Sequence, residues 1–413
     1  MKFKKMKLLI AVMLVASSIM LTGCDTSTSG GGSEAGSTQT TEELTEVESD
    51  KEINAAGIQG FDYSFILEGK KYTLPFDYAV LEKDGWEPLD DSEDPNDKID
   101  GMKDELFSMK KVGKERKNGE MLTVWVFNGS GNKRKIKDCK IGGIVVAEKD
   151  LGYFSFELSN GLKPGDEQET VRGIMGEPDE FGDWDSFYKD EYGEKKETGL
   201  ITFEWKKDEI KDKGEDYIRI FFCPPENTES SDEVPEYLSG YQKPDSMGND
   251  FDSATFTLDQ AIYKLPCPVS EFVKNGWIPT KTEDVPSGGD KFCDLKKDGS
   301  EIKCMVENFA DYQTYSNNCA VTRVYMDYTS AGKTIPDILL PKNVKQNMSL
   351  EELEAALEGS AVNFEKKEHE SFNYIDFSYS DDKLGTSAKI EFDTKKEKIR
   401  KIEIHNEIWP GLE

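Results

Sequence analysis

The cysteine at position 24 stands apart from the other six cysteines of the chain because of the residues that precede it. Four lysines lie within the first seven residues, and residues 8–20 form an apolar run that is too short to span a membrane. This is the pattern of an export signal. Thr22 and Gly23 are small enough for a peptidase to approach the backbone, and the thiol of Cys24 can become a thioether. These residue types suit processing of an exported chain at this point.

The stretch "LTGC", residues 21–24, resembles the bacterial lipobox, Leu-(Ala/Ser/Thr)-(Gly/Ala)-Cys. The resemblance implies that diacylglycerol is attached to the Cys24 sulfur and that the chain is cleaved before this residue. Two acyl chains, at about 0.8 kcal/mol per buried methylene group, would anchor the protein stably. We therefore expect a lipid-anchored protein on the extracytoplasmic face of the cell membrane. The alternative is a signal peptide in which the cysteine is incidental.

Composition limits the function classes. The formal net charge of −30 repels nucleic acid and anionic lipid surfaces, so we expect no nucleic-acid partner. Hydrophobic residues make up 36% of the 413 residues and charged residues 32%, which is typical of a globular protein with a polar surface. A chain of this length can form two or more domains.

An internal duplication organises the chain. Residues 65–88, "FILEGKKYTLPFDYAVLEKDGWEP", align without gaps to residues 256–279, "FTLDQAIYKLPCPVSEFVKNGWIP", with nine of 24 positions identical. Composition alone would give about one or two matches. Asn128 and Cys139 correspond in the same way to Asn308 and Cys319. The sequence thus predicts two tandem repeats.

The duplication sets the expected domain boundaries. They are a signal peptide over residues 1–23, a lipidated cysteine with a disordered tether over residues 24–57, repeat 1 over residues 58–223, a linker over residues 224–250 and repeat 2 over residues 251–413. Serine, threonine, glycine and acids dominate the tether. The linker carries little that could pack.

Each repeat combines short helices with alternating strands. Val171, Ile174 and Met175 form one apolar helical stripe, and Ser349 begins the matching helix with capping-box spacing. Asn118-Gly119 and Asp298-Gly299 each have the composition of a two-residue hairpin turn. The prediction is an α+β fold of two tandem repeats, each mostly antiparallel sheet with short helices packed on one face.

Two resemblances bear on the fold. The segment "PGDEQETVRGIMGEPD" is similar to the helical segment of small bacterial lipoproteins and inhibitors with the SmpA/OmlA and β-lactamase-inhibitor-protein-like fold. The "YxLP…GW" block resembles lipoproteins of Gram-positive gut bacteria. Both imply a binding or scaffold role, and neither names a ligand. The second resemblance also implies a Gram-positive source.

The chain lacks the usual signatures of metal or nucleophilic chemistry. Its two histidines, His369 and His405, stand outside any His-x-x-x-His pattern, and no P-loop, dinucleotide or Gly-x-Ser-x-Gly fingerprint is present. We expect His405 to be a solvent-facing strand residue. Residues 90–101, "DDSEDPNDKIDG", fail as an EF-hand loop because position 6 is proline and position 12 is glycine. We therefore expect no catalytic residues, no metal and no cofactor.

The remaining six cysteines are expected to fill the core, because several replace apolar residues of the sister repeat. If Asp298-Gly299 is the turn, Cys293 lies opposite Cys304, where a disulfide is feasible. Phe107 and Val124 hold the aligned positions as an apolar pair, which favours two reduced thiols.

The tryptophans divide into two sets. Trp86 and Trp277 occur in both repeats and are expected in the core. Four have no tryptophan counterpart and could face a ligand: Trp125, Trp184, Trp205 and Trp409. The function we expect is a non-enzymatic binding or interaction module with an unknown protein or glycan partner. The alternatives are an extracellular carbohydrate- or peptide-binding protein, or a carboxylate-based hydrolase.

Replacement of the lipidation cysteine tests the anchor. The Cys24→Ala protein should lose labelling by a palmitate analogue and be released from membranes, because no thioether can form at alanine. Metabolic labelling and membrane fractionation measure both effects. Labelling that persists in the Cys24→Ala protein would disprove the lipobox interpretation.

Overall fold

The structure is a computed structural model that describes residues 61–89, 94–111, 122–184, 187–193, 199–206, 216–330 and 334–410. Cys24, the predicted signal peptide and tether, and the Asn118-Gly119 turn lie outside these ranges. Both repeats belong to one compact unit. Among the described residues, no helix is long and apolar enough to cross a membrane.

The described residues of repeat 1 contain fourteen strands and two α-helices. The helices are α1 (Tyr78–Lys83) and α2 (Gln168–Met175). The strands are β1 (Ser64–Leu67), β2 (Lys70–Thr73), β3 (Phe76–Asp77), β4 (Trp86–Pro88), β5 (Lys98–Ile99), β6 (Lys103–Lys111), β7 (Leu122–Asn128), β8 (Arg134–Lys135), β9 (Lys140–Ala147), β10 (Phe156–Leu158), β11 (Glu180–Trp184), β12 (Phe187–Gly193), β13 (Gly199–Lys206) and β14 (Tyr217–Phe222).

Repeat 2 has the same composition of elements. Its helices are α3 (Val269–Lys274) and α4 (Leu350–Glu358). The strands are β15 (Thr255–Leu258), β16 (Ala261–Lys264), β17 (Cys267–Pro268), β18 (Ile278–Pro279), β19 (Asp284–Val285), β20 (Asp290–Lys297), β21 (Ser300–Glu307), β22 (Thr314–Tyr315), β23 (Ala320–Asp327), β24 (Ile338–Leu339), β25 (Glu365–His369), β26 (Tyr374–Asp381), β27 (Thr386–Asp393) and β28 (Lys398–Asn406).

The two large sheets have one topology. In repeat 1 the strand order is β4-β6-β7-β9-β14-β13-β12-β11, and in repeat 2 it is β18-β20-β21-β23-β28-β27-β26-β25. These strands pair antiparallel throughout. A three-stranded sheet accompanies each large sheet, in the orders β10-β1-β2 and β16-β15-β24. The predicted α+β fold of two tandem repeats with mostly antiparallel sheet is therefore confirmed.

Local sequence signals place the helices on the core side of each sheet. The Oγ of Ser349 accepts a hydrogen bond from the backbone N–H of Glu352, and the Glu352 carboxylate accepts one from the N–H of Ser349, as the capping box predicts. Gly85 and Gly276 follow α1 and α3 with φ of 80° and 87°, a backbone that favours glycine. The predicted stripe of α2 needs one correction, since Ile174 is 50% exposed.

The hairpin of repeat 2 forms as predicted. Asp298 and Gly299 have φ of 48° and 82°, and the register sets Cys293 opposite Cys304. Both thiols are buried and free. The aligned pair in repeat 1, Phe107 and Val124, also lies in register.

The register of the strands that flank the corresponding segment of repeat 1 is different. Met109 lies opposite Leu122, whereas an unbroken register around a two-residue turn at positions 118–119 would set residue 109 opposite residue 128. Repeat 1 has six more residues than repeat 2 between the aligned strands, and the predicted turn itself lies outside the described residues.

Both cores are formed by the residues that the two repeats share. Trp86 and Trp277 are 2% and 0% exposed. Cys139 and Cys319 hold equivalent buried sites, and each thiol donates a weak hydrogen bond to the carbonyl oxygen of the residue four positions before it. Burial raises the pKa of the Cys139 thiol to about 12, so at neutral pH these cysteines behave as small apolar groups.

A buried asparagine organises the loops of each repeat. The Nδ2 of Asn128 lies 3.2, 3.0 and 2.7 Å from the carbonyl oxygens of Ile99, Asp100 and Asn132. The Nδ2 of Asn308 lies 3.1, 3.2 and 2.7 Å from those of Val285, Pro286 and Tyr312. Both asparagines are 0% exposed. One side chain thus holds two loops together in each repeat.

The loops held by the two asparagines join the repeats. The backbone N–H of Gly101 donates to the carbonyl of Ser287 at 3.0 Å, and the N–H of Ser287 donates to Gly131 at 2.8 Å. The N–H of Lys133 donates to the carbonyl of Asp311 at 2.8 Å, and the Lys133 ammonium pairs with the Asp311 carboxylate at 3.4 Å. The contact therefore depends on backbone positions that the asparagines fix.

The linker contacts both repeats, although its composition suggested little packing. The hydroxyl of Thr228 accepts a hydrogen bond from the N–H of Gly131, and its carbonyl accepts one from the Gln313 side chain at 2.7 Å. Further along, Leu238 is 8% exposed and Tyr237 packs in a small cluster with repeat 2. The linker is thus an ordered part of the junction.

Replacement of a buried asparagine by aspartate should destabilise the protein strongly. Asn128→Asp and Asn308→Asp each remove both N–H donors and bring a carboxylate against carbonyl oxygens. We expect each change to lower the free energy of unfolding by about 2–4 kcal/mol. Denaturant unfolding followed by tryptophan fluorescence measures the loss. Asn227→Asp, at an exposed linker position, is the matched control and should change stability by less than about 0.5 kcal/mol. Equal stability of all three variants would contradict the role of the buried amides.

Candidate functional site

Trp125 lies on the outer face of repeat 1, the face of the large sheet that is turned away from the core. Its indole meets Phe221 edge-on at 6.0 Å, and the Arg219 guanidinium lies 5.6 Å from the ring centre. A Cβ at Gly143 would come within 2.7 Å of the indole, so glycine makes room for the ring. Trp125 is half-buried among its neighbours.

The other three candidate tryptophans are placed differently. The Nε1 of Trp205 donates to the carbonyl of Asp166 at 2.7 Å, and the ring stacks on Phe203 on the core side of the sheet. Trp409 is 4% exposed, in contact with Tyr237, and is thus not open to a ligand in this structure. The side chain of Trp184 lies outside the described residues. The structure does not bring the three described side chains together at one site.

The outer face of repeat 2 carries rows of charged side chains. Strand alternation sends Val324, Ile402 and Ile390 into the core and leaves their neighbours on the outer face. Adjacent strands place these neighbours side by side. One row runs Lys303, Tyr325, Glu403 and Lys389, and the next runs Asp327, Lys401, Glu391 and Asp376.

A groove of about 470 Å³ lies over these rows. This volume is within the range of small-molecule sites. The loop after β23 contributes Ser330 and Ile335 to its wall. The groove is lined by Phe292, Glu301, Lys303, Tyr325, Met326, Asp327, Ser330, Ile335, Lys389, Glu391, Lys401, Ile402 and Glu403.

Glu391 is the most heavily paired carboxylate of the groove. It is 7% exposed, and its oxygens lie 3.5 Å from Lys389, 3.6 Å from Lys401 and 3.2 Å from the Nε of Arg400. Arg400 occupies a β-bulge, because Glu391 pairs with Lys401 while the next residue of β27 pairs with Ile399. The bulge turns Arg400 onto the outer face. These contacts form a rigid, charge-paired edge.

Lys303 differs from the other cations of the groove. Its ammonium lies 3.9 Å from the centre of the Phe292 ring, and it has no ion-pair partner among the described residues. Phe292 is 46% exposed and lies 5.9 Å from Tyr325. The Tyr325 hydroxyl accepts a hydrogen bond from Arg323 at 3.2 Å, which leaves its own proton free to be donated. Aromatic surface and unused hydrogen-bonding groups therefore meet at this end.

Repeat 1 builds the same part of the sheet with other residues. The strand register shows which residues of repeat 1 occupy the same positions as Lys303, Tyr325, Glu403 and Lys389. That row of repeat 1 carries only one charged side chain. The fold therefore does not require the alternating charges of repeat 2. The residues of the repeat 1 row are Thr123, Val145, Arg219 and Thr202. Leu106 holds the place of Phe292, and Glu204 that of Glu391.

Two further depressions of similar volume lie in repeat 2 and at the junction. One, of about 550 Å³, surrounds the Asp298-Gly299 turn, and the other, of about 450 Å³, lies where the linker crosses Gly101 and Gln313. Backbone and turn residues form much of their walls. The groove alone among these three combines an aromatic platform with ordered charges.

The two histidines are engaged with neighbouring side chains. His405 lies opposite Arg323 on the outer face of the sheet, as strand alternation predicts, with its side chain 13% exposed. Burial, together with the Arg323 charge, lowers the pKa of His405 to about 4. The His369 ring stacks on Tyr374, with Nε2 3.1 Å from the Asp376 carboxylate. In the part of the chain that the structure describes, no group of three or more His, Cys, Asp or Glu side chains could hold a metal ion.

Glu307 is the acid with the clearest perturbation outside the groove. Burial, followed by the like charges of Glu407 and Asp290, raises the pKa of Glu307 to about 7. Lys103 opposes this shift and Asp100 adds to it. Glu307 ends the strand that precedes the Asn308 loop, so this proton is held near the junction of the repeats.

Comparison of the chain with protein-family models, with curated proteins and with solved structures finds no match. The fold and the groove are therefore interpreted from their own geometry. Sequence reasoning missed the groove because it sought unusual residues, while the groove consists of common Lys and Glu. The signal available was alternation of charge in β21 and β28 that the aligned strands of repeat 1, β7 and β14, lack.

The pKa of Glu307 predicts a pH dependence of stability. The pKa of Glu307 is about 7 in the folded protein and 4.5 in the unfolded chain. Between these two pH values the folded protein therefore retains a proton that the unfolded chain loses. Stability contributed by this group is present below pH 4.5 and is lost as the pH rises through 7. Glu307→Gln should therefore be about 1 kcal/mol more stable than the parent at pH 8, after screening by solvent.

Thermal unfolding at pH 4.5, 6 and 8 measures this effect. The exposed Glu365→Gln is the matched control and should show the pH profile of the parent. A Glu307→Gln protein with an unchanged profile would show that the Glu307 carboxyl ionises normally.

Proposed function

We propose that the chain is a lipid-anchored, non-enzymatic binding module on the extracytoplasmic face of a Gram-positive bacterial membrane. In this proposal the groove on the outer face of repeat 2 holds the ligand. Diacylglycerol on Cys24 supplies the membrane attachment, and residues 24–57 form the tether. The lipobox resemblance supports the anchor, and the composition of the tether supports the spacing between membrane and module.

The observation that carries the binding role is the difference between the two outer faces. Both repeats build the same sheet, yet only repeat 2 has the alternating row from Lys303 to Lys389. Repeat 1 forms its sheet without these charges and with Leu106 in the place of Phe292, so folding does not require them. Their presence over a groove of ligand size favours recognition of a ligand.

The groove supports binding better than carboxylate catalysis. A general acid needs a raised pKa. Burial raises the pKa of Glu307 and of Asp104, and neither carboxyl group lines the groove. The groove carboxylates Glu391 and Glu403 are instead paired with basic side chains.

Lysine footprinting of the full-length chain in detergent micelles tests the site. Envelope material from the source cells should protect Lys303, Lys389 and Lys401 from acetylation at least threefold, because a ligand in the groove covers their ammonium groups. Lys264, exposed in β16 of the same repeat, is the internal control and should react at an unchanged rate. Protection that spares the three groove lysines would place the site elsewhere.

A further inference from the structure

We infer that the groove of repeat 2 recognises a short, neutral, hydroxyl-rich ligand of the glycan class. This inference rests on the proposed function and adds the chemistry of the ligand. It follows from the charge balance of the groove, its unused hydrogen-bonding groups and its exposed aromatic ring.

The charge balance disfavours an ionic ligand. Three lysines and four acids line the groove. Lys389 and Lys401 both pair with Glu391, and Glu403 pairs with Arg323 at 3.2 Å. An anionic ligand would approach several carboxylates, and a cationic ligand would displace bound lysines. A neutral ligand meets neither cost.

The unused polar groups suit hydroxyls. The Lys303 ammonium can donate to a ligand oxygen, since no carboxylate among the described residues pairs with it. The carboxylates of Glu403 and Asp327 can only accept hydrogen bonds when ionised. A hydroxyl group both donates and accepts, so neighbouring hydroxyls can satisfy an alternating row of ammonium and carboxylate groups. A hydrocarbon surface can do neither.

The apolar end of the groove provides an aromatic surface for a sugar ring. Phe292 exposes 46% of its surface, next to Tyr325, and Ile335 also lines the groove. The Lys303 ammonium lies over one face of the Phe292 ring. The C–H face of a pyranose ring can pack on the part of the ring that stays exposed while its hydroxyls face the polar row. Repeat 1 has Leu106 at the equivalent position, so it lacks this platform.

Titration calorimetry with defined tetramers tests the ligand class, using the full-length chain in micelles. We expect at least one of maltotetraose, cellotetraose and mannotetraose to bind, with a Kd that changes less than about twofold between 50 and 500 mM NaCl, since no net charge is paired. Phe292→Ala should weaken this binding about tenfold. The outcome that overturns the glycan class is the absence of binding by all three at 10 mM.

Matched variants and probes separate the alternatives. Phe292→Leu copies the repeat 1 residue, so the sheet tolerates it, and it should still weaken binding about fivefold. Leu106→Ala, at the equivalent exposed place in repeat 1, should leave binding unchanged. Tighter, strongly salt-dependent binding of tetragalacturonate, or binding of tetra-alanine, would overturn the neutral-glycan inference while the proposed groove stands. If neither the oligomers nor the envelope material protects Lys303, Lys389 and Lys401 from acetylation, the groove is not the binding site.

Discussion

The side-chain amides of Asn128 and Asn308 are the contacts on which the arrangement of the molecule depends. Each amide is fully buried and binds carbonyl groups of two loops that are distant in sequence. The residues next to those carbonyls, Gly101 and Ser287 among them, make the backbone hydrogen bonds between the repeats. A buried donor that loses its acceptor is costly. One interaction, used twice, therefore fixes the loops inside each repeat and the junction between them.

Comparison of the two repeats distinguishes the residues that the fold requires from those that can vary. The two sheets share strand order, core tryptophans and the buried asparagines, whereas their outer faces differ. Glu204 and Glu391 hold equivalent outer-face positions and are 8% and 7% exposed, so the buried acid belongs to the shared framework. The neighbouring row is uncharged in repeat 1 apart from Arg219. Its charges in repeat 2 were therefore free to serve recognition.

Charge acts on two length scales in this protein. The net charge of −30 keeps polyanions at a distance, an effect that salt screens. Within the groove, ion pairs between adjacent strands cancel most of the local charge and hold long side chains in fixed positions. A ligand site with little net charge can thus exist on a strongly acidic surface. This arrangement favours selection by hydrogen-bond pattern and ring stacking over attraction at long range.

The sequence by itself determined the duplication, the α+β class, the helix caps and the opposition of Cys293 and Cys304. These follow from local rules, namely strand alternation, capping residues and turn composition, which act over a few residues. It did not reveal the packing of the linker, the burial of Trp409 or the groove. Tertiary structure decided these because they depend on strand order, which brings Lys303 and Lys389 into one row although 86 positions separate them in sequence.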